Sequence, residues 1–121
     1  MEKTNYKHQL EERLIEFSVL IIKIVNASPN DRVGNHLSSQ LLRSGTAPAL
    51  QYAEALGAES RKDFIHKLGI LLKELRESLN CLKILSRIDY IQNDNPALKE
   101  CNELISIFVK SVETAKRNAD N

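Results

Sequence analysis

Residues 60–87 carry the sequence SRKDFIHKLGILLKELRESLNCLKILSR, in which the apolar residues recur at helical spacing. Six of them are separated alternately by three and four positions: Ile65, Leu68, Leu72, Leu75, Leu79 and Leu82. This alternation places them on one stripe of a helix and is typical of a seam between packed helices. The segment Ser60–Asp63 has the pattern of a capping box. The stretch therefore predicts a helix from Ser60 to about Arg87 that packs in a bundle.

Three further helices are predicted, two before this one and one after it. Turn-forming residues interrupt the helical pattern at 28–31, at Gly57 and at 93–96, and no segment alternates like a strand. The predicted helices cover about 7–27, 31–56 and 95–116, and the residues after Lys116 are expected to fray. Pro48 lies inside the second of them, where its ring clashes with the carbonyl of Ser44, so a kink or a break is expected there.

Four helices with short connections predict an all-α, antiparallel up-down four-helix bundle, with residues 1–121 forming one domain. At 121 residues and 42% hydrophobic content, the chain can bury a core without disulfides or structural metals. The first eight residues contain no apolar signal region, and no stretch reaches the length of a membrane span. We therefore expect a cytoplasmic protein that does not bind membranes.

The helices offer more apolar surface than an isolated bundle needs. The first helix is apolar almost all round, with Ile15, Val19 and Ile22 outside its main stripe, and the third adds Ile70 and Ile84. Exposed apolar surfaces of this size are rare on monomers, so the sequence predicts a homo-oligomer.

Positive charge is concentrated in the third helix. Residues 60–88 contain seven basic and three acidic residues, net +4, whereas the rest of the chain contains ten basic and thirteen acidic residues, net −3. The candidate nucleic-acid-binding residues share one stripe beside the apolar seam: Lys62, Lys73, Arg76, Lys83 and Arg87. Such a row suits the phosphate backbone of RNA or DNA, and without interleaved aromatic residues the binding would tolerate any sequence. The alternative interpretation is an ordinary solvated helix face.

Other chemistry has weaker support in the sequence. Asp63 and His66 have the spacing of half a di-iron motif, but a second copy is missing, so no metal and no cofactor is predicted. Arg61 and His66 have the spacing of helical ribonucleases, yet residues five apart lie ~140° apart around a helix. Cys81 and Cys101 form no Cys-x-x-Cys motif and are predicted to be small buried residues. No catalytic residue is assigned.

Four segments carry a resemblance to a known family: QLLRSGTA at 40–47, YAEA at 52–55, AESRKDFIHKL at 58–68 and LKELRES at 72–78. They resemble the bacterial four helix bundle proteins, first noticed as reading frames inside intervening sequences of large-subunit ribosomal RNA genes. The same pattern is similar to the accessory variability determinant of diversity-generating retroelements. The resemblance covers nearly the whole chain.

The resemblance implies a four-helix protomer that assembles into a ring, typically a homopentamer. In the retroelement relative, the ring is a basic platform for nucleic acid and for another protein, a reverse transcriptase. Arg43 and Glu54 match an Arg and a Glu of the family pattern, which implies a structural ion pair between helices or subunits, or else a partner contact. The leading prediction is a non-catalytic oligomeric scaffold that binds nucleic acid through the third helix. The alternatives are a purely protein-binding adaptor and a helical RNase.

Overall fold

The computed structural model describes residues 2–119, and the side chains of residues 6–118. Four helices account for most of this range: α1 (Glu2–Ala27), α2 (Arg32–Leu56), α3 (Arg61–Arg87) and α4 (Pro96–Ala119). No strand occurs within residues 2–119. The predicted all-α architecture of four helices is confirmed, and it is consistent with a four-helix bundle. Helix α1 begins earlier than predicted, at Glu2, and α4 continues beyond Lys116 to Ala119.

Side-chain caps fix where three of the helices begin. Asp31 precedes α2 with extended backbone, and its carboxylate accepts a hydrogen bond from the Gly34 N–H at 2.7 Å. Ser60 Oγ accepts from the Asp63 N–H at 3.0 Å, and Asn95 Oδ1 accepts from the Ala97 N–H at 2.9 Å. These bonds satisfy N–H groups that lack a partner in the first turn of a helix. The predicted starts of α3 and α4 are therefore correct.

Helices that follow one another along the chain pack side by side, and α1 also contacts α4. In the diagonal pairs, α1 with α3 and α2 with α4, no Cα atoms come within 8 Å of each other in the described residues, and contact across the core is made by side chains, for example by Tyr52 of α2 and Phe108 of α4. The centre of the bundle is filled by large, fully buried side chains: Leu14, Phe17, Leu41, Leu75, Leu104 and Phe108. Each helix thus buries one stripe, and the opposite face stays exposed.

Helix α2 runs through Pro48 without interruption, so of the expected kink or break the break does not occur. The proline is fully buried, and the small residues before it hold the helix against both neighbours. Ser44 is completely buried, and its Oγ accepts a hydrogen bond from Ser78 of α3 at 2.9 Å. Gly45 packs against Ile21 of α1. Packing on two sides therefore keeps α2 continuous although Pro48 cannot donate a backbone hydrogen bond.

Candidate nucleic-acid interface

The outer face of α3 carries the predicted basic residues. All five are exposed, as are His66 and Asn80 between them, and we call this set the basic stripe: Lys62, His66, Lys73, Arg76, Asn80, Lys83 and Arg87. Its ends are 25 positions apart in one continuous helix, which corresponds to about 37 Å at ~1.5 Å per residue. The stripe therefore runs along one uninterrupted helix and is open to solvent along its whole length.

None of the cations of the basic stripe forms an ion pair within the described residues. The three acidic residues of α3 all have other partners. Asp63 accepts a hydrogen bond from Lys67 Nζ at 3.3 Å, one turn further along the same helix. Glu74 and Glu77 both pair with Arg43 of α2. The acidic groups that could neutralise the stripe are thus engaged on the side of α3 that faces α2.

Arg43 bridges α2 and α3 through several contacts. Its guanidinium donates to Glu74 Oε2 at 2.9 Å, to Glu77 Oε2, and to Gln40 Oε1 of its own helix at 3.4 Å. The structure does not bring Arg43 and Glu54 together, because both lie on α2 about 16 Å apart along the axis at ~1.5 Å per residue. Glu54 is exposed and has no ion-pair partner in the described part of the chain.

Exposed apolar side chains lie on α1, α2 and α3. Ile15, Val19 and Ile22 form a stripe on α1, with exposed fractions of 45%, 36% and 41%. Ile70 and Ile84 of α3 are 38% and 48% exposed. Helices α1 and α3 are diagonal in the bundle, and α2, which contacts both, carries Leu42 and Leu50 with exposed fractions of 41% and 69%.

The remaining predicted sites offer little chemistry. Asp63 is paired with Lys67, and among the described residues no group of three or more His, Cys, Asp or Glu side chains could hold a metal ion. Arg61 and His66 are both exposed. None of the described helices is long and apolar enough to span a membrane.

Both cysteines are buried, as predicted. The Cys101 thiol donates to the Leu75 carbonyl at 3.2 Å, and burial raises the pKa of Cys101 to about 12. Burial also raises the pKa of Cys81, whose thiol contacts the Leu37 carbonyl at 3.5 Å. Neither thiol is therefore a reactive thiolate at neutral pH.

The sequence model of the 23S rRNA-intervening sequence protein family matches residues 7–110, which is most of the chain and includes parts of all four helices. The chain belongs to the 23S rRNA-intervening sequence protein family. The resemblance to the intervening-sequence-encoded proteins is thereby confirmed. In this intervening sequence protein the matched region contains the whole basic stripe and both partners of Arg43.

A solved structure shares this fold. The chain is 31% identical to a protein of unknown function from the S23 ribosomal protein family of Bacteroides thetaiotaomicron, known from a crystal structure, with a TM-score of 0.80. The alignment covers 85% of this chain and 97% of that chain. The comparison with curated proteins gives no match. Family membership therefore establishes the fold, and the function has to be argued from the surface.

Proposed function

We propose that this protein is a non-catalytic scaffold that binds RNA or DNA through the basic stripe of α3, without preference for sequence. One observation carries the proposal: five exposed cations lie in a row on one helix, while all three acidic residues of that helix are paired elsewhere. A solvated face with ordinary i,i+4 ion pairs would show partners for these cations. The stripe instead presents uncompensated positive charge.

The proposed mechanism is electrostatic. Each phosphate that a Lys or Arg neutralises releases condensed counterions, and the resulting gain does not depend on the bases. The stripe contains no Phe, Tyr or Trp on which a base could stack. Binding should therefore follow the backbone of the nucleic acid, single- or double-stranded, and should weaken steeply as salt is added.

We further propose an antiparallel, up-down arrangement of the helices and assembly of the protomers into a ring, for which the family resemblance suggests five. Contacts between α2 and α3 support the antiparallel order, because Leu37 meets Cys81 whereas Ser44, further along α2, meets the earlier Ser78. The exposed apolar side chains of the diagonal helices α1 and α3 support a ring, since head-to-tail cyclic assembly joins two different surfaces of neighbouring protomers. A ring would repeat the basic stripe and add avidity.

The test of nucleic-acid binding is a titration of the protein against fluorescent single- and double-stranded RNA and DNA at ~50 to 200 mM salt. The variant reverses four charges of the stripe: Lys73→Glu, Arg76→Glu, Lys83→Glu and Arg87→Glu. A matched control reverses four exposed cations elsewhere: Lys23→Glu, Lys99→Glu, Lys116→Glu and Arg117→Glu. We expect the stripe variant to lose at least about a hundredfold in affinity and the control to lose much less. Equal losses, or no binding by the wild type at ~50 mM salt, would contradict the proposal.

Light scattering in the same buffers tests assembly. The wild type should have a mass that is a multiple of the 13.7 kDa protomer. Ile15→Asp with Ile22→Asp should lower that mass, because it places charges in the apolar surface of α1. Val33→Asp, at a side chain that is 49% exposed near the start of α2, is the control and should leave the mass unchanged. A wild type of 13.7 kDa would contradict self-association.

The apolar surfaces also favour a second candidate, an oligomeric adaptor that binds only protein. An oligomer that binds none of the nucleic acids at low salt would support the adaptor. The helical RNase is tested with His66→Ala, which should abolish RNA cleavage if His66 is catalytic. Cleavage that persists undiminished in this variant would exclude that role.

A further inference from the structure

A cleft of about 560 Å³ opens at one end of the bundle, where α1 and α3 begin and α2 and α4 end. This volume lies within the range of small-molecule binding sites. Its floor is apolar and deeply buried: Leu10, Tyr52, Leu68 and Phe108 are each at most 4% exposed. On α4 the cleft is bordered by the small residues Ser111, Thr114 and Ala115, which leave the space unfilled.

One polar group reaches this cleft from the buried floor. The Tyr52 ring packs edge-on against Phe108, with ring centroids 5.4 Å apart and an interplanar angle of 74°. Its hydroxyl makes no hydrogen bond to a described residue and is not among the fully enclosed polar atoms, so it keeps access to solvent although the ring is nearly buried. Burial, with smaller effects of Tyr6 and Glu11, raises the pKa of Tyr52 to about 12. The hydroxyl therefore keeps its proton at neutral pH and remains a donor.

The rim of the cleft is cationic. Lys7, Arg61 and Lys110 contribute to its walls from three different helices, and all three are exposed. None of them forms an ion pair with a described residue, and no acidic side chain is among the described residues that line the cleft. Long basic side chains commonly cover apolar surface with their stems and keep the charged group at the edge.

We propose that this cleft binds a small amphipathic anion, with an aliphatic or aromatic body on the apolar floor and one carboxylate or phosphate group at the rim. The three cations attract the anionic group, and the Tyr52 hydroxyl supplies a hydrogen-bond donor from the floor. The site does not depend on nucleic-acid binding, because Lys7, Arg61 and Lys110 lie outside the basic stripe. The ligand class follows from the combination of an apolar floor and three rim cations that have no acidic side chain beside them among the described lining residues.

Calorimetric titration of the full chain with octanoate tests this inference, with 1-octanol as the neutral analogue of equal chain length. We expect octanoate to bind at least about tenfold more tightly than 1-octanol. Two-dimensional NMR of the labelled protein should place the shifts caused by octanoate at Tyr52, Phe64 and Phe108. Equal affinity for the two compounds, no octanoate binding at millimolar concentration, or shifts located elsewhere would overturn the inference.

A matched pair of variants then tests the rim. Arg61→Gln with Lys110→Gln removes one cation of the cleft from α3 and one from α4. Arg32→Gln with Lys99→Gln removes the same two types of charge from α2 and α4, outside both the cleft and the basic stripe. We expect the first pair to weaken octanoate binding at least about fivefold and the second to leave it unchanged. All four sites are exposed, so both variants should fold, which circular dichroism checks. Equal effects of the two pairs would show that the rim does not recognise the anion.

Discussion

Gly45 of α2 lies directly against Ile21 of α1: a Cβ atom at position 45 would come within 2.7 Å of Cγ1 of Ile21. Ile21 is completely buried and cannot move aside without disturbing the core. Next to this contact, Ser18 Oγ of α1 approaches the Gly45 carbonyl at 3.4 Å. The two helices therefore meet closely at this point, and the missing side chain of Gly45 sets the distance between them.

Gly45→Ala should destabilise the protein even though Ala is the better helix former. The added methyl group overlaps Ile21, and overpacking of this kind costs about 1–3 kcal/mol. Gly69→Ala on α3 is the matched control, because a Cβ at position 69 meets no atom within 4 Å. There the gain in helix propensity should raise stability by about 0.5–1 kcal/mol. Urea unfolding measures both changes, and stabilisation by both substitutions would contradict the close contact at Gly45.

The helices could be predicted from sequence because their signals are local. The 3–4 spacing of leucines in α3, the cap at Ser60 and the Asn95-Pro96 start each depend on residues within a few positions of one another. The continuity of α2 through Pro48 could not be predicted in the same way, because it depends on Ser78 and Ile21 of two other helices.

The candidate sites show the same difference between features that depend on one helix and features that depend on several. The exposure of the basic stripe could be predicted, because within a single helix its residues lie at a large angle from the buried apolar seam. The ion-pair partners of Arg43 could not be predicted, because they depend on the register between α2 and α3. The sequence contained one indication, which is that Glu74 and Glu77 are three positions apart and share a helix face. The cleft was missed because its residues come from the ends of four helices and meet only in the folded chain.

Asp31 links the start of α2 to the segment after α3. Its carboxylate accepts hydrogen bonds from the Tyr90 hydroxyl at 2.6 Å and from the Gly34 N–H at 2.7 Å. Both hydrogen bonds lower the pKa of Asp31, and the bond from Tyr90 has the larger effect. A carboxyl group whose pKa is lower in the folded state stabilises the protein above its unfolded pKa of about 4, and this contribution is lost as the pH falls through the folded pKa. Stability should therefore decrease on acidification.

Tyr90→Phe tests this link. Removing the hydroxyl should raise the pKa of Asp31 toward its ordinary value and make stability less dependent on pH in the acidic range. Carbon-detected NMR titration of the Asp31 carboxylate measures the pKa directly, and unfolding at several pH values measures the stability. Tyr6→Phe, at a tyrosine outside this contact, should leave the pKa of Asp31 unchanged. An Asp31 pKa that is the same in the wild type and Tyr90→Phe would refute the effect of the hydrogen bond.

The two thiols should be protected in the folded protein. Cys101 is fully buried and Cys81 is 6% exposed, and burial raises the pKa of both. Reaction with a thiol-specific disulfide reagent near pH 8 should be at least about a hundredfold slower than in urea. The single-thiol variants Cys81→Ser and Cys101→Ser assign the rates, and Cys81 should be the faster of the two. Fast reaction of Cys101 in the native protein would be incompatible with its burial.

The ion pairs of Arg43 connect stability with the proposed binding surface. Arg43 is 52% exposed, so Arg43→Gln should cost less than about 1 kcal/mol of stability. The substitution also releases Glu77, which is four positions from Lys73 and can then pair with that cation of the basic stripe. We therefore expect Arg43→Gln to weaken nucleic-acid binding about two- to fourfold, although Arg43 lies outside the stripe.

Two further variants separate this effect from the loss of one positive charge. Adding Glu74→Gln and Glu77→Gln to Arg43→Gln should restore binding, because no released carboxylate is left to neutralise the stripe. Arg13→Gln has the same charge change but releases Glu100 and Glu103 of α4, so its binding should match the wild type. Fluorescence titration at one fixed salt concentration compares the four proteins. If Arg13→Gln and Arg43→Gln weaken binding equally, only the net charge matters, and Arg43 does not hold acidic groups away from the stripe.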